Sequence, residues 1–160
     1  MPVLDYTPTV KEVAAILHAR TTSRGGGEAG TFTANTRPTQ EQVEEVIKDI
    51  VQECYTSFGQ DIPDSKGDEK DALRNAAKRV VAMGVAAEIE ISYFPEQVAT
   101  QRSPYKMYQE RYQEGVKKIS RAVADLESGA EPGTDDNAQL ALSEGFPVDV
   151  GGMVGWDTLW

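Results

Sequence analysis

The stretch AAKRVVAMGVAAEIEI, residues 76–91, limits the fold of this 160-residue chain more than any other feature. A helix over these residues is apolar on nearly every side, which is typical of a helix that several neighbours cover. The sequence therefore predicts a central helix that begins at Asp68 and is surrounded by others. It must end by Phe94, because Pro95 disfavours helical backbone at the residue before it. The small residues that would let neighbours approach closely are Ala76, Ala77, Ala82, Gly84, Ala86 and Ala87.

A second helix is predicted after Thr39. Thr39 and Gln42 fit a capping box, in which each side chain bonds the backbone N–H of the other residue. Gly59 is expected to end the helix in the left-handed conformation. One apolar face continues over four turns and comprises Val43, Val46, Ile47, Ile50, Val51, Cys54, Tyr55 and Phe58.

Two more helices are predicted where a hydroxyl residue precedes proline. Thr7 and Pro8 are expected to open the first helix, which ends near Arg20. Ser103 and Pro104 are expected to open the fourth. The apolar stripe of the first comprises Val10, Val13, Ala14, Ile16 and Leu17, and that of the fourth Tyr105, Tyr108, Tyr112, Val116, Ile119, Val123 and Leu126.

These patterns predict a mainly α fold, a four-helix bundle-like subunit with two irregular segments. A long loop at residues 21–36 joins helices 1 and 2, and it is expected to contain a short extended segment or a β-hairpin. Residues 129–160 have turn chemistry throughout and are expected to form an extended acidic and aromatic C-terminal arm. The predicted domains are therefore a helical core over 1–128 and an arm over 129–160.

The net charge of −10 comes mainly from the end of the chain. Seven acidic residues and no basic ones follow position 126, which leaves 19 acidic and 16 basic residues before it. This balance argues against binding to a phosphate backbone, which needs clustered Lys and Arg. Cys54 is the only cysteine, so an intrachain disulfide is excluded and an intracellular protein is expected. We expect neither a signal peptide nor a membrane span.

No pattern in the sequence supports catalysis, and the prediction is that the protein is not an enzyme and needs no metal or cofactor. A nucleophile–base pair would have to use His18, the only histidine, and Cys54 lies within an apolar stripe. DIPDSKGDEKD, residues 61–71, lacks the ligand spacing of a calcium loop. GGGEAG, residues 25–30, is followed by no lysine and is not a phosphate-binding loop.

The loop and the arm are instead the candidate docking segments. In the loop, Phe32 is the expected buried anchor of an assembly element comprising Thr31, Phe32, Thr33 and Asn35, which faces a neighbouring subunit or a lumen. In the arm, the candidate residues for docking on another protein are Phe146, Met153, Trp156, Leu159 and Trp160. Aromatic residues are the usual anchors of interfaces. The alternative for the arm is that it folds back on its own bundle.

The order of these features resembles the head-to-tail adaptor, or connector, proteins of long-tailed bacteriophages, especially those of phages that infect actinobacteria. The resemblance covers roughly residues 4–126. It is carried by a short helix ending in HARTTSRGG, by GTFTANTRPTQEQVEEVI opening a long helix, and by an Ala-rich helix ending in EIEISYFPEQ before a Tyr-rich helix.

The resemblance implies a structural virion protein, assembled in the host cytoplasm and located in the neck. Its expected partners are the portal protein, further copies of itself in a ring of typically twelve, and a downstream stopper or tail-completion protein. DNA would pass through the lumen without sequence-specific binding, and the C-terminal arm would dock on the portal. The competing interpretation is a small acidic helical protein that binds other proteins, such as a regulator or a DNA-mimicking inhibitor.

Overall fold

The computed structural model describes residues 4–21, 30–59, 62 and 69–128. These residues form α-helices and no strand, which confirms the mainly α class. The helices are α1 (Val10–Ile16), α2 (His18–Thr21), α3 (Gln40–Phe58), α4 (Glu69–Tyr93), α5 (Pro95–Ala99) and α6 (Tyr105–Glu127). The backbone separates into the units Met1–Ala130 and Glu131–Trp160, and every described residue belongs to the first. The domain division after residue 128 stays a prediction.

Helix α4 is the centre of the described unit. It contacts α1, α3, α5 and α6, and every residue from Val81 to Ala87 is buried. The prediction of a central helix is confirmed, as is its end before Pro95. Asp68, the predicted first residue, lies outside the described residues.

Helix α3 begins and ends where the sequence predicts. The Thr39–Gln42 capping box is present at its start. Gly59 follows its last residue with φ of 78° and ψ of −169°. The positive φ is as predicted, but ψ is far from the left-handed helical value of about +47°. Tyr55 was expected in the apolar face and is 42% exposed. It lies at the edge of the stripe, where its hydroxyl can remain hydrated.

Helix α1 begins two residues later than predicted. Thr9, not Thr7, caps it, because Glu12 stands three residues after Thr9 and closes a capping box. The Thr9 backbone N–H lowers the pKa of Glu12. The predicted single helix is also interrupted at Leu17, whose ψ of 35° separates α1 from α2. Leu17 is 2% exposed, so its side chain is packed in the core at this break.

The segment before α1 contacts the C-terminal end of α3 and also α4. The Tyr6 hydroxyl donates to the Gly59 carbonyl at 2.7 Å, and the Tyr6 ring packs edge-on against Phe58. Asp5 forms an ion pair with Arg74 at 2.8 Å. These contacts make the N-terminal turn part of the core.

Helices α4 and α6 pack at very short distance. A Cβ atom at Gly84 would lie 2.8 Å from the Tyr112 ring and 2.9 Å from Ile50. A Cβ atom at Gly115 would overlap the side chain of Val80. Gly84 was predicted to allow such an approach, whereas Gly115 was not singled out. The two glycines therefore set the separation of these helices.

The connection between α4 and α6 contains a helix that sequence patterns did not predict. Helix α5 has five residues, too few to show a helical period. Ser103 was expected to cap α6 with Pro104 as its first residue, but α6 begins at Tyr105 and Pro104 occupies the cap position. The Ser103 hydroxyl still accepts from the Tyr105 N–H at 3.1 Å.

Candidate functional site

The loop from Gly30 to Thr39 precedes α3 and contains the residues predicted to mediate assembly. Phe32 is 3% exposed and belongs to the core, as the anchor hypothesis requires. Thr31 and Thr33 are half-buried and Asn35 is exposed. Phe32 is covered by its own subunit, so it cannot contact another molecule directly. Such a contact would be made by the more exposed side chains of the loop, with Asn35 and Ala34 at its tip.

No strand is present at residues 30–39, so the expected hairpin is not seen in this part of the loop. Hydroxyl side chains bond several of its backbone groups instead. The Thr36 hydroxyl accepts from the Thr33 N–H at 2.9 Å, and the Thr33 hydroxyl accepts from the Asn35 N–H at 3.2 Å. The Thr36 hydroxyl is also within donating distance of the Thr33 and Pro38 carbonyls. Hydroxyl side chains that bond nearby backbone groups compete with strand formation. The result is a compact turn.

A polar network lies where α2, α4, α5 and the start of α6 meet. The Arg20 guanidinium donates to both carboxylate oxygens of Glu90, each at 2.9 Å. It also donates to the Gln97 side-chain carbonyl at 2.7 Å, and the Ser103 hydroxyl donates to Glu90 at 2.6 Å. Glu90 is 1% exposed. We call these four residues the Arg20–Glu90 network.

Phe94 connects this network to the loop. The Arg20 guanidinium stacks on the Phe94 ring at 3.9 Å from its centroid, and the Arg37 guanidinium lies 5.7 Å from the same centroid. Arginine over an aromatic face is attracted by the ring quadrupole. The end of the loop is therefore held beside the corner formed by α4 and α5.

Sequence patterns did not single out any member of this network as functional. The available signal was the position of Glu90, which follows Met83 by seven residues and Ala86 by four. That spacing places a carboxylate on a buried face of α4, where a charge needs a partner. The residues near Glu90 in the sequence do not indicate that its partner is Arg20, because the two are 70 residues apart.

A thiol nucleophile and its base would have to be Cys54 and His18. These two side chains have different environments. Cys54 is 1% exposed, and its sulfur lies 3.5 Å from the Tyr112 hydroxyl. Burial raises the pKa of the Cys54 thiol to about 11, so the thiol stays protonated and weakly nucleophilic at neutral pH. His18 is exposed on α2.

Beside Tyr112, α3 and α6 border a shallow groove of about 340 Å³ that Glu53 and Lys117 also line.

Other predicted features fall partly or wholly outside the described residues. The arm residues Phe146, Met153, Trp156, Leu159 and Trp160 all do, as do most of residues 61–71 and of GGGEAG. Within 4–21, 30–59, 62 and 69–128, no group of three His, Cys, Asp or Glu side chains could hold a metal ion. No helix among those residues has the length and apolar character needed to cross a membrane.

Comparison of the chain with known protein families, curated proteins and solved structures found no match.

Proposed function

We propose that this chain is the subunit of a ring-forming head-to-tail adaptor of a long-tailed bacteriophage. In this role it lies between the portal protein and the next neck or tail protein and forms part of the DNA channel. The observation that carries the proposal is the loop at residues 30–39, which has a buried anchor, internal hydrogen bonds and an exposed tip. A segment fixed in this way loses little conformational freedom on docking, which favours association.

The helical order supports the same role. The resemblance to phage adaptors is carried by the segments that form α2, the loop, α3, the end of α4 and the Tyr-rich helix α6. The Arg20–Glu90 network and Phe94 connect α2, the end of α4 and the end of the loop to one another. These three segments, which carry part of the resemblance, are thus also joined in space. In the proposed role, they together present the loop to a neighbouring molecule.

The acidic balance of the chain is compatible with a DNA channel. A wall with net negative charge repels phosphates, so DNA can pass without being retained.

Co-expression with the portal protein encoded by the same genome tests the proposal. We expect rings of this chain on the portal, visible by negative-stain electron microscopy. Deletion of residues 150–160 is expected to abolish co-assembly and to leave the helical circular dichroism signal intact. Normal portal binding after the deletion would contradict the role of Trp156, Leu159 and Trp160.

The loop is tested separately by Asn35→Arg, which places a long charged side chain at its exposed tip. Asn75→Arg, at an exposed position of α4, is the matched control. We expect the loop variant to reduce ring formation and the control to assemble normally. A genome without a portal gene, or a chain that binds a host DNA-binding protein and no portal, would instead favour the acidic regulator or DNA mimic.

A further inference from the structure

The outer face of α3 carries a row of acidic side chains. Glu41, Glu45 and Asp49 recur every four residues and are all exposed, so they lie on one face with a rise of about 6 Å per step. In the described part of the chain none of the three forms an ion pair. The apolar side of α3 is turned into the core, which leaves this acidic ridge facing outward.

The outer face of α6 carries a compact basic cluster. Lys117, Lys118 and Arg121 occupy little more than one turn and are all exposed. Among the described residues these three also form no ion pair. The buried side of α6, which includes Ile119 and Val123, faces the core. We call this cluster the basic ridge.

The two ridges do not neutralise each other within one subunit. Glu53 of α3 and Lys117 of α6 line the same groove, yet no ion pair joins α3 to α6 in the described residues. The opposite charges of the two helices thus remain available to another molecule.

We propose that the acidic ridge of one copy docks on the basic ridge of the next copy. The partner is a second copy of this chain because one subunit presents both complementary surfaces. Such a contact is heterologous: every added subunit leaves one ridge of each kind open, which is the arrangement that builds a ring or a filament. The inference deepens the proposed function and rests on it for the expectation that copies assemble side by side.

Exposed ion pairs are individually weak and are screened by salt. Three opposed pairs therefore orient and select the neighbouring copy more than they hold it. Replacing acids by bases on one ridge also adds repulsion between like charges, so the loss of association should exceed that expected from the missing pairs alone.

The test uses two charge-reversed forms of the full chain, studied by sedimentation equilibrium. The first is Glu41→Lys/Glu45→Lys/Asp49→Lys, and the second is Lys117→Glu/Lys118→Glu/Arg121→Glu. We expect the wild-type chain to self-associate and each variant alone to bind itself at least about tenfold more weakly. A mixture of the two is expected to regain association, because the reversed ridge of each then faces a complementary ridge of the other.

The matched control is Glu88→Lys/Glu127→Lys, which changes net charge at exposed positions outside both ridges. It should self-associate like the wild type. The proposal is overturned if the wild type stays monomeric, if reversal of either ridge leaves self-association unchanged, or if the mixture is as weak as the separate variants. Portal binding is measured separately, so a chain that self-associates through its ridges but ignores the portal contradicts the proposed function alone.

Discussion

Arg20 and Glu90 form a two-pronged ion pair across 70 positions of sequence, with both hydrogen bonds at 2.9 Å. The two residues are not equally buried: the Arg20 side chain is 17% exposed and that of Glu90 is 1% exposed. Arg20 also stacks on Phe94. The pair therefore fixes α2 against the end of α4, and its two members should respond differently to substitution.

Arg20→Ala is expected to destabilise the protein more than Glu90→Gln. Removal of Arg20 leaves the buried Glu90 carboxylate with only the Ser103 hydroxyl of the network bonded to it, at a cost of about 3–5 kcal/mol. Glu90→Gln keeps a hydrogen-bond acceptor for Arg20, and water can still reach the Arg20 guanidinium. This substitution should therefore cost only about 1–3 kcal/mol. Urea unfolding followed by circular dichroism measures both. The double variant Arg20→Met/Glu90→Leu, which removes both charges, should be more stable than Arg20→Ala, and an equal or lower stability would contradict this account.

Gly115→Ala is expected to destabilise the chain by about 1–3 kcal/mol, although alanine is normally favoured over glycine inside a helix. The added methyl group would overlap Val80 of α4. Shortening that neighbour should make room for it, so Gly115→Ala/Val80→Ala should be less destabilised than the sum of the two single variants. Thermal unfolding of the four forms gives the coupling. Strict additivity would show that Val80 does not limit the space at Gly115.

Thr9→Ala should cost about 1 kcal/mol, because Thr9 caps α1. Thr7→Val should be neutral or stabilising. The Thr7 hydroxyl oxygen is buried and has no hydrogen-bond partner in the structure, and replacing an unsatisfied polar group by an apolar one of similar shape removes a desolvation penalty. Urea midpoints of both variants distinguish the cap at Thr9 from the one that the sequence pattern placed at Thr7. A larger loss for Thr7→Val would reassign the cap.

Stability should fall as pH rises from about 9 to about 11. The pKa of Cys54 is raised from 9.0 to about 11, so in this interval the unfolded chain loses a thiol proton that the folded chain keeps. Linkage then gives a loss on the order of 1 kcal/mol at pH 10. Burial also raises the pKa of Tyr112, which acts in the same direction at higher pH. Urea midpoints at pH 8 and pH 10 under reducing conditions measure the effect.

Cys54→Ala is the control for this pH dependence. It should show a smaller drop between pH 8 and pH 10 than the wild type, whatever its stability at pH 8. Equal drops in the two proteins would mean that the Cys54 thiol is not the titrating group.

The predicted helices of the described region were largely found because their signals are local. The Thr39–Gln42 box, Pro95 and the apolar face of α3 each act within a few residues, and apart from the exposed Tyr55 each has the predicted effect. The cap of α1 was misplaced because two threonines were available, and only Thr9 has a glutamate three residues later. Helix α5 was missed because five residues carry no period.

The candidate site was harder to predict from local sequence patterns. The sequence pointed to the loop and to Phe32 as its anchor, since one aromatic residue among threonines stands out. It did not show that Thr33 and Thr36 close the loop on itself, because hydroxyl side chains can bond either a nearby backbone group or a partner strand.

By itself, the sequence determined that this is a helical protein with α4 at its centre, because side-chain periodicity and capping are properties of neighbouring residues. Only the tertiary structure decided which residue pairs with a buried charge. Glu88 and Glu90 stand two positions apart on the same helix, yet Glu88 is exposed and Glu90 is enclosed with Arg20. The spacing of Glu90 indicates a buried face, but its pairing with Arg20 depends on where α2 packs, and no local pattern contains this information.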